Sequence, residues 1–348
     1  MPSDPRRILV IRRDNIGDLV CTTPLFAALR RRFPAAHIAL LTNTYAAPVV
    51  HNNPDLDAVY VYAKAKHVPA WGRPAAYWRR AQTLAQLRRV RFDWILLAAA
   101  SYYRRGIQLA RWLNAPAIGF GGDKGEKAGL DCVVARPERA LHEVEDIFRL
   151  LEPLGIDGNA IPKLTLVADP AEEARARAFL GAKTRRAIVA VHISARHPSN
   201  RWTVAGYVAL VRGLIAKGFV VVLLWSPGAA KDPGHPGDDA LAATIREQIG
   251  SADLVVYPTR GLEKLIGMLA VCAGAVLSDG GAMHIAAALG KPLVCFFGDS
   301  DASRWHPWQT PHVVLQKPSR RVADILPEEA LSAFDVLMAR TQASPRHG

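Results

Sequence analysis

The stretch Ala275–Asp299 reads AVLSDGGAMHIAAALGKPLVCFFGD. A short β-rich run (Ala275–Leu277) ends in Ser278-Asp279-Gly280-Gly281. A helix of small residues follows over Ala282–Leu289, Gly290 stops it, and a second apolar run covers Pro292–Phe297. Strand, glycine turn, helix and strand make a βαβ unit. The turn lies at the carboxyl end of a strand and opens a helix, where backbone N–H groups and the helix dipole favour an anion. Gly280 and Gly281 let the backbone approach a ligand closely. Asp279 and His284 stand where they can add polar contacts; a locally satisfied turn aspartate and a core-facing histidine are the alternatives for those two.

The same alternation runs through the rest of the chain. Ile8–Ile11 is a purely apolar run, as a buried parallel strand requires. The loop Arg12–Asp18 (RRDNIGD) follows, then a helix from Leu19 to about Arg32. Strands are expected at His37–Thr42, Ala58–Val61, Trp94–Ala98 and Ala117–Phe120, with helices at Pro74–Val90, Tyr102–Leu113 and Arg139–Leu154. Ile156–Pro170, punctuated by Gly158, Pro162 and Pro170, reads as an interdomain linker. Beyond it, strands at Ala187–Ile193, Val220–Trp225 and Leu254–Tyr257 alternate with helices at Ala171–Leu180, Thr203–Lys217, Asp238–Ile249 and Leu262–Cys272. Val313–Leu315 is a last strand and Pro327–Arg340 a last helix. The pattern predicts an α/β protein of two doubly wound Rossmann-like domains, residues 1–160 and 171–325, with a C-terminal helix over 327–341. Ligands bind outside the carboxyl ends of such strands; two facing sheets would place a cleft there.

With 348 residues, the chain is long enough for two ordinary domains. It goes straight into a strand without a signal-peptide core, and no apolar run approaches bilayer length, so a cytoplasmic location is expected. The four cysteines are widely spaced and read as free thiols. The net charge of +13 implies an anionic partner: nucleic acid, a membrane surface or an acidic substrate. It is concentrated. Between Ala58 and Gly122 eleven Lys or Arg residues face one acid, Asp93, with Trp71, Tyr77, Trp78, Tyr102, Tyr103 and Trp112 interleaved. A solvated helix face and a functional basic surface are both consistent with that stretch.

Four places can carry chemistry. In Arg12–Asp18, both Asp14 and Asp18 are candidate general bases, Gly17 allows a tight turn, and an N-capping role for Asp18 is the alternative. In His192–Trp202, Ser194 and the loop amides can hold phosphate, and the Arg201 guanidinium suits a departing diphosphate, a surface arginine beside a helix cap being the alternative. The third place is the Asp279–His284 turn, a pocket for a nucleotide-linked donor. Gly298–Trp308 is the fourth; its Asp299-Ser300-Asp301 is a weak match to a DxD metal motif. There is no Walker lysine loop, no GxGxxG after the first strand and no HExxH.

Three segments together resemble one family. RRDNIGDLVCTTPLFAALRRRFP, HISA…NRW and SDGGAMHIAAALGKPLVCFFGDSD…HPW are similar to signatures of the ADP-heptose:lipopolysaccharide heptosyltransferases, family 9 of the glycosyltransferases. The likeness spans Ile8 to about Trp308. It implies a two-domain fold of the glycosyltransferase B type, with the acceptor on the N-terminal domain and the nucleotide sugar on the C-terminal one. It implies inverting, metal-independent transfer of heptose, or a related sugar, from an ADP-linked donor, with no other cofactor. The acceptor would be a lipopolysaccharide core or similar cell-envelope glycan, reached at the inner membrane surface. By the same likeness Asp18 is the catalytic base. Ser194, Ala195, Arg201, Asp279, Gly280, Gly281 and His284 hold the donor, and Arg201, where relatives carry lysine, also assists the leaving diphosphate. Asn15, Gly17, Arg79, Arg80, Arg104 and Arg105 are the expected acceptor contacts. The acid that contacts the nucleotide has three candidates, Asp232, Asp238 and Asp239. Another donor sugar or a non-lipid acceptor on the same fold, a non-catalytic nucleotide-sugar binder and a nucleic-acid binder are the competing readings.

Overall fold

A computed structural model describes residues 4–62, 73–99, 101–122, 125–135, 137, 139–230 and 237–343. The chain divides into two compact units, Met1–Val167 and Ala168–Gly348.

The first unit is a six-stranded sheet in the order β3-β2-β1-β4-β5-β6. Its strands are β1 (Arg7–Ile11), β2 (His37–Asn43), β3 (Ala58–Tyr62), β4 (Trp94–Leu97), β5 (Ala117–Phe120) and β6 (Cys132–Val134). Its helices are α1 (Ile16–Arg32), α2 (Arg73–Val90), α3 (Arg104–Leu113) and α4 (Glu143–Phe148). The second unit repeats the plan, in the order β12-β11-β10-β7-β8-β9. Here β7 is Ile188–His192, β8 Val220–Trp225, β9 Leu254–Pro258, β10 Gly274–Ser278, β11 Leu293–Phe297 and β12 His312–Gln316. Its helices are α5 (Pro170–Leu180), α6 (Val204–Ala216), α7 (Asp239–Ile249), α8 (Leu262–Val271), α9 (Gly281–Ala288), α10 (Ala302–Trp305) and α11 (Pro327–Ala343). Every strand pairing in both sheets is parallel. Both units have the doubly wound strand order, which reverses between β1 and β4 and again between β7 and β10. The crevice at such a reversal is where ligands bind.

The pure apolar runs are the central strands. Ile8–Ile11 and Val220–Leu224 are completely buried, because helices cover both faces of each sheet. In the second unit the core joins these strands to α6 and α11 through Trp202, Tyr207, Phe296 and Phe334. Helix α11 therefore belongs to the second unit's core.

Several expectations need correction. Helix α1 starts at Ile16, three residues earlier than expected, so Asn15 is its N-cap, Gly17 is a buried helical residue and Asp18 lies in the first turn. Helix α4 begins at Glu143 behind a His142 cap and gives way to a 3-10 stretch at Arg149–Leu154. Strand β6 and helix α10 are additions. The expected linker is not loose: Leu164 and Leu166 are buried, and the Thr165 N–H donates to Thr23 Oγ1 at 2.9 Å. Helix α5 starts at Pro170, capped by Asp169 accepting from the Ala171 N–H. None of the four cysteines is in a disulfide, and three of them are buried. Among the described residues, no helix is long and apolar enough to cross a membrane.

Candidate active site

Each unit presents one polar constellation at its strand-order reversal. In the first unit it is built on Arg12, the residue directly after β1. Its side chain is fully buried among acceptors. Nη1 donates to the Ala98 carbonyl at 2.9 Å, at the end of β4. Nη2 donates to Asp18 Oδ1 at 2.8 Å and to Glu143 Oε1 at 2.7 Å. Nε lies 3.5 Å from Asp14 Oδ2. Burial alone would push the guanidinium down, but Glu143, Asp18 and Asp14 outweigh that and hold it above its ordinary value. Asp18 Oδ2 accepts the Asn15 N–H at 3.0 Å, so the carboxylate is fixed at both oxygens. Its side chain stays 16% exposed, and each oxygen keeps a second lone-pair direction. A partly exposed carboxylate in one orientation, at the end of β1, has the geometry of a general base. Asp14, the other candidate, is 46% exposed and lies 3.5 Å from Arg12 Nε.

The expected acceptor arginines are exposed: Arg79 and Arg80 on α2, Arg104 and Arg105 opening α3. Among the described residues none of the four is in an ion pair. Arg88, on the same helix, lies 4.9 Å from the ring of Trp112. Lys64, Lys66 and Trp71 lie outside the described residues.

In the second unit the loops after β10 and β11 and the 3-10 turn Pro198–Asn200 form one rim. Asn200 joins them: its Nδ2 donates to the Asp279 carbonyl at 3.2 Å and its Oδ1 accepts the Gly298 N–H at 2.8 Å. A Cβ at position 298 would lie 2.5 Å from both Asn200 Oδ1 and the Ser199 carbonyl, so only glycine permits this approach. Ser300 Oγ donates to Asp279 Oδ2 at 2.6 Å, and Gln316 Nε2 reaches the carbonyls of Gly298 and Ser300. Gly280, the N-cap of α9, has φ 152° and ψ −173°, a conformation essentially reserved to glycine. A Cβ placed there would have no heavy atom within 4 Å, so the backbone that opens α9 faces open space. His284 is buried, edge-on to Trp305 with ring centroids 5.9 Å apart.

Two expected donor contacts are already engaged. Ser194 Oγ accepts the Ser226 N–H at 2.9 Å, tying the loop after β7 to that after β8, and Ala195 is buried. Arg201 Nη1 donates at 2.9 Å to Asp238 Oδ1, on a side chain only 3% exposed. Its guanidinium is thus anchored at one corner and open at the others. Asp239 accepts from the Trp225 indole and the Gly228 N–H and holds the loop after β8. Asp232 lies outside the described residues. Asp301 caps α10 through Ser303, whose hydrogen bonds hold it below the usual carboxylate range. Glu143 and Asn200 join the expected residues. The only local signal for Glu143 is the histidine-acid pair opening a helix, and for Asn200 it is membership of the NRW segment.

Buried His192, which ends β7, is pushed down to about 4 by desolvation, against an upward pull from Asp238. Below pH 6.5 an unfolded chain takes up a proton that the native histidine refuses. Stability should therefore fall as pH drops from 6.5 toward 4, by about 3 kcal/mol in all. Urea midpoints at pH 7 and pH 4.5 test this: His192→Leu should lose less on acidification than the wild type, and equal losses would refute it.

Two parallel sheets of this order in one chain define the class of fold, that of the two-domain B-type glycosyltransferases. A glycosyltransferase family 9 structure from Veillonella parvula superposes with a TM-score of 0.83 at 20% identity, over 98% of this chain and 99% of that one. The Escherichia coli ADP-heptose lipopolysaccharide heptosyltransferase II superposes with a TM-score of 0.77 at 22% identity, over 97% and 100%. The chain belongs to glycosyltransferase family 9 (heptosyltransferase), whose model matches residues 80–325. That span contains the Asp279–His284 turn and begins beyond the Arg12–Asp18 loop. The lipopolysaccharide heptosyltransferase 3 of Escherichia coli is 27% identical over 297 residues, 84% of this chain and 83% of that one. The protein is a glycosyltransferase.

Proposed function

We propose that the protein transfers heptose, or a closely related sugar, from an ADP-linked donor to a lipopolysaccharide core or similar cell-envelope acceptor, with inversion at the anomeric carbon. The observation that carries this reading is Asp18, held by Arg12 and the Asn15 N–H with one edge exposed at the end of β1. The acceptor hydroxyl gives its proton to the Asp18 carboxylate while its oxygen bonds to the sugar's anomeric carbon. The bond from that carbon to the diphosphate oxygen breaks, and ADP leaves with the electron pair. The N–H groups at Gly280-Gly281 and the open corner of Arg201 meet the growing negative charge. The reading assigns the reaction no metal and no cofactor beyond the donor. Incubation with ADP-heptose and a heptose-deficient lipopolysaccharide tests it. A heptosylated product of inverted anomeric configuration, formed equally well with a chelator present, is expected; no product with any ADP-sugar would sink it.

Asp279→Ala removes the carboxylate that Ser300 Oγ donates to and leaves the Asn200 bond to the backbone carbonyl in place. It should weaken ADP-heptose binding about tenfold, as loss of a hydrogen bond to a charged group does. Calorimetry showing unchanged affinity would remove Asp279 from the donor site.

The exposed arginines of α2 are read as the surface that meets the anionic inner leaflet and its glycolipid from the cytoplasmic side, with Tyr77 (57% exposed) and Trp78 (67% exposed) at the interface. Replacing Arg79, Arg80, Arg88 and Arg89 by Gln should raise the acceptor KM several-fold and flatten its dependence on salt. An unchanged salt profile would return these residues to the role of a solvated face.

A further inference from the structure

Arg13 follows Arg12 in the chain but is held by aromatic rings instead of carboxylates. Its guanidinium carbon lies 4.2 Å from the ring centroid of Tyr62 and 6.0 Å from that of Tyr103. Its Nε donates to the Tyr62 hydroxyl. Tyr62 ends β3 and Tyr103 is the N-cap of α3. The backbone beneath is pinned by buried Asn43, which ends β2 in register with Tyr62 and donates to the carbonyls of Arg13 (3.2 Å) and Asp14 (3.0 Å). Three strands and a helix start therefore fix one side chain.

Clamping a long cation in this way removes rotamer freedom before any ligand arrives. With Nε on Tyr62, the two Nη groups remain. Among the described residues neither donates to an acceptor, and no carboxylate lies within ion-pair distance of Arg13. Helix α3 opens beside Tyr103 with exposed Arg104 and Arg105 and no acid in its first turn, so its dipole adds to the positive field. Burial pushes the Tyr103 phenol up, so that ring stays neutral. The nearest acid in sequence, Asp14, lies 3.5 Å from Arg12 Nε, and its charge, felt at Tyr103, is set against those of Arg13 and Arg105 there. A preorganised guanidinium fork in a positive field suits an oxyanion.

We propose that Arg13, clamped between Tyr62 and Tyr103, is a specificity subsite that grips an oxyanion substituent, a phosphate monoester or a carboxylate, on the acceptor glycan. Its place in the same loop as Asp18 means that gripping this group sets which acceptor hydroxyl reaches the base. The proposal rests on the glycosyl-transfer reading above.

The test compares wild type, Arg13→Gln and Arg13→Lys on three acceptors: intact lipopolysaccharide core, the same core dephosphorylated, and the same core with its carboxylates reduced. Arg13→Gln should raise the KM for intact acceptor about 10- to 100-fold and leave the donor KM in place. Arg13→Lys, which keeps the charge and loses the fork, should fall between. For the wild type, one of the two stripped acceptors should show the same rise, and Arg13→Gln should no longer distinguish it from the intact one. An unchanged KM in Arg13→Gln, or an equal loss on all three acceptors, would overturn the subsite. So would loss of binding to phosphatidylglycerol vesicles by Arg13→Gln, which would make a lipid headgroup the source of the anion. If the wild type transfers nothing, the glycosyl-transfer reading fails by itself. The subsite is then read from the Arg13 Nε–H resonance, identified by its absence in Arg13→Gln, during titration with inorganic phosphate. A saturable shift supports the anion site, and none overturns it.

Discussion

Asp18→Asn should lower the rate of glycosyl transfer by about 10²–10⁴-fold, the usual worth of a positioned general base, while the donor still binds. The substitution is nearly isosteric. The amide can still accept at one position, from Arg12 or from the Asn15 N–H, but it cannot take the acceptor's proton. It also withdraws one of the carboxylates on Arg12, whose bonds to Glu143 and Ala98 remain. The loss should therefore fall on the chemical step, with little change in melting temperature. Single-turnover transfer, calorimetric titration of the donor and a thermal melt together separate the possibilities. Near-normal turnover in Asp18→Asn would pass the base assignment to Asp14, which is more exposed. Asp14→Asn would then be the inactive variant. A fall in both turnover and melting temperature would instead make Asp18 a structural member of the Arg12 cluster.

What could be read from the chain alone follows from the range of the interactions involved. Buried parallel strands must be apolar on both faces, so runs such as Ile8–Ile11 and Val220–Trp225 announce themselves, and their alternation with helices carries the topology. The glycine turn after β10 is equally local: Gly280 needs its backbone conformation whatever surrounds it. The expected start of α1 falls late because Asn15-Ile16-Gly17-Asp18 looks like a turn. The spacing of Asn15 and Asp18, cap and third helical residue, was the available signal for an earlier start. Strand β6 has only three residues and follows a charged glycine loop, too little for periodicity to register. The pairings that organise the site lie beyond any local pattern. Arg12 meets Glu143 across 131 positions, Arg201 meets Asp238 across 37, and Asn200 meets Gly298 across 98. A charged residue just past a buried strand implies some partner, but only the fold supplies which one. Arg201 shows the consequence. Its residue type suits a diphosphate, yet the fold spends one corner of its fork on Asp238.

The Arg12 cluster carries the second large effect, on stability. Arg12→Met removes the cation shared by Glu143, Asp18 and the Ala98 carbonyl inside the first unit, where the side chains of Arg12 and Glu143 are fully buried. Removing one partner of a buried ion pair costs about 3–5 kcal/mol, which should lower the first unit's unfolding transition by roughly 10 °C. Glu143→Leu should cost less, because Arg12 keeps Asp18, Asp14 and the Ala98 carbonyl. Arg12→Met combined with Glu143→Leu replaces a charged pair by apolar volume. It should regain part of the stability lost in Arg12→Met, since a desolvated pair often contributes little net stability over a hydrophobic substitute. Transfer should not return with it, because Asp18 Oδ1 still lacks the donor that orients it. That divergence, stability partly restored and catalysis not, separates a cluster kept to aim Asp18 from one kept to hold the fold. Thermal melts and single-turnover rates on the three variants measure it. Equal recovery of both would mean that Arg12 supports the fold and that Asp18 finds its orientation without it.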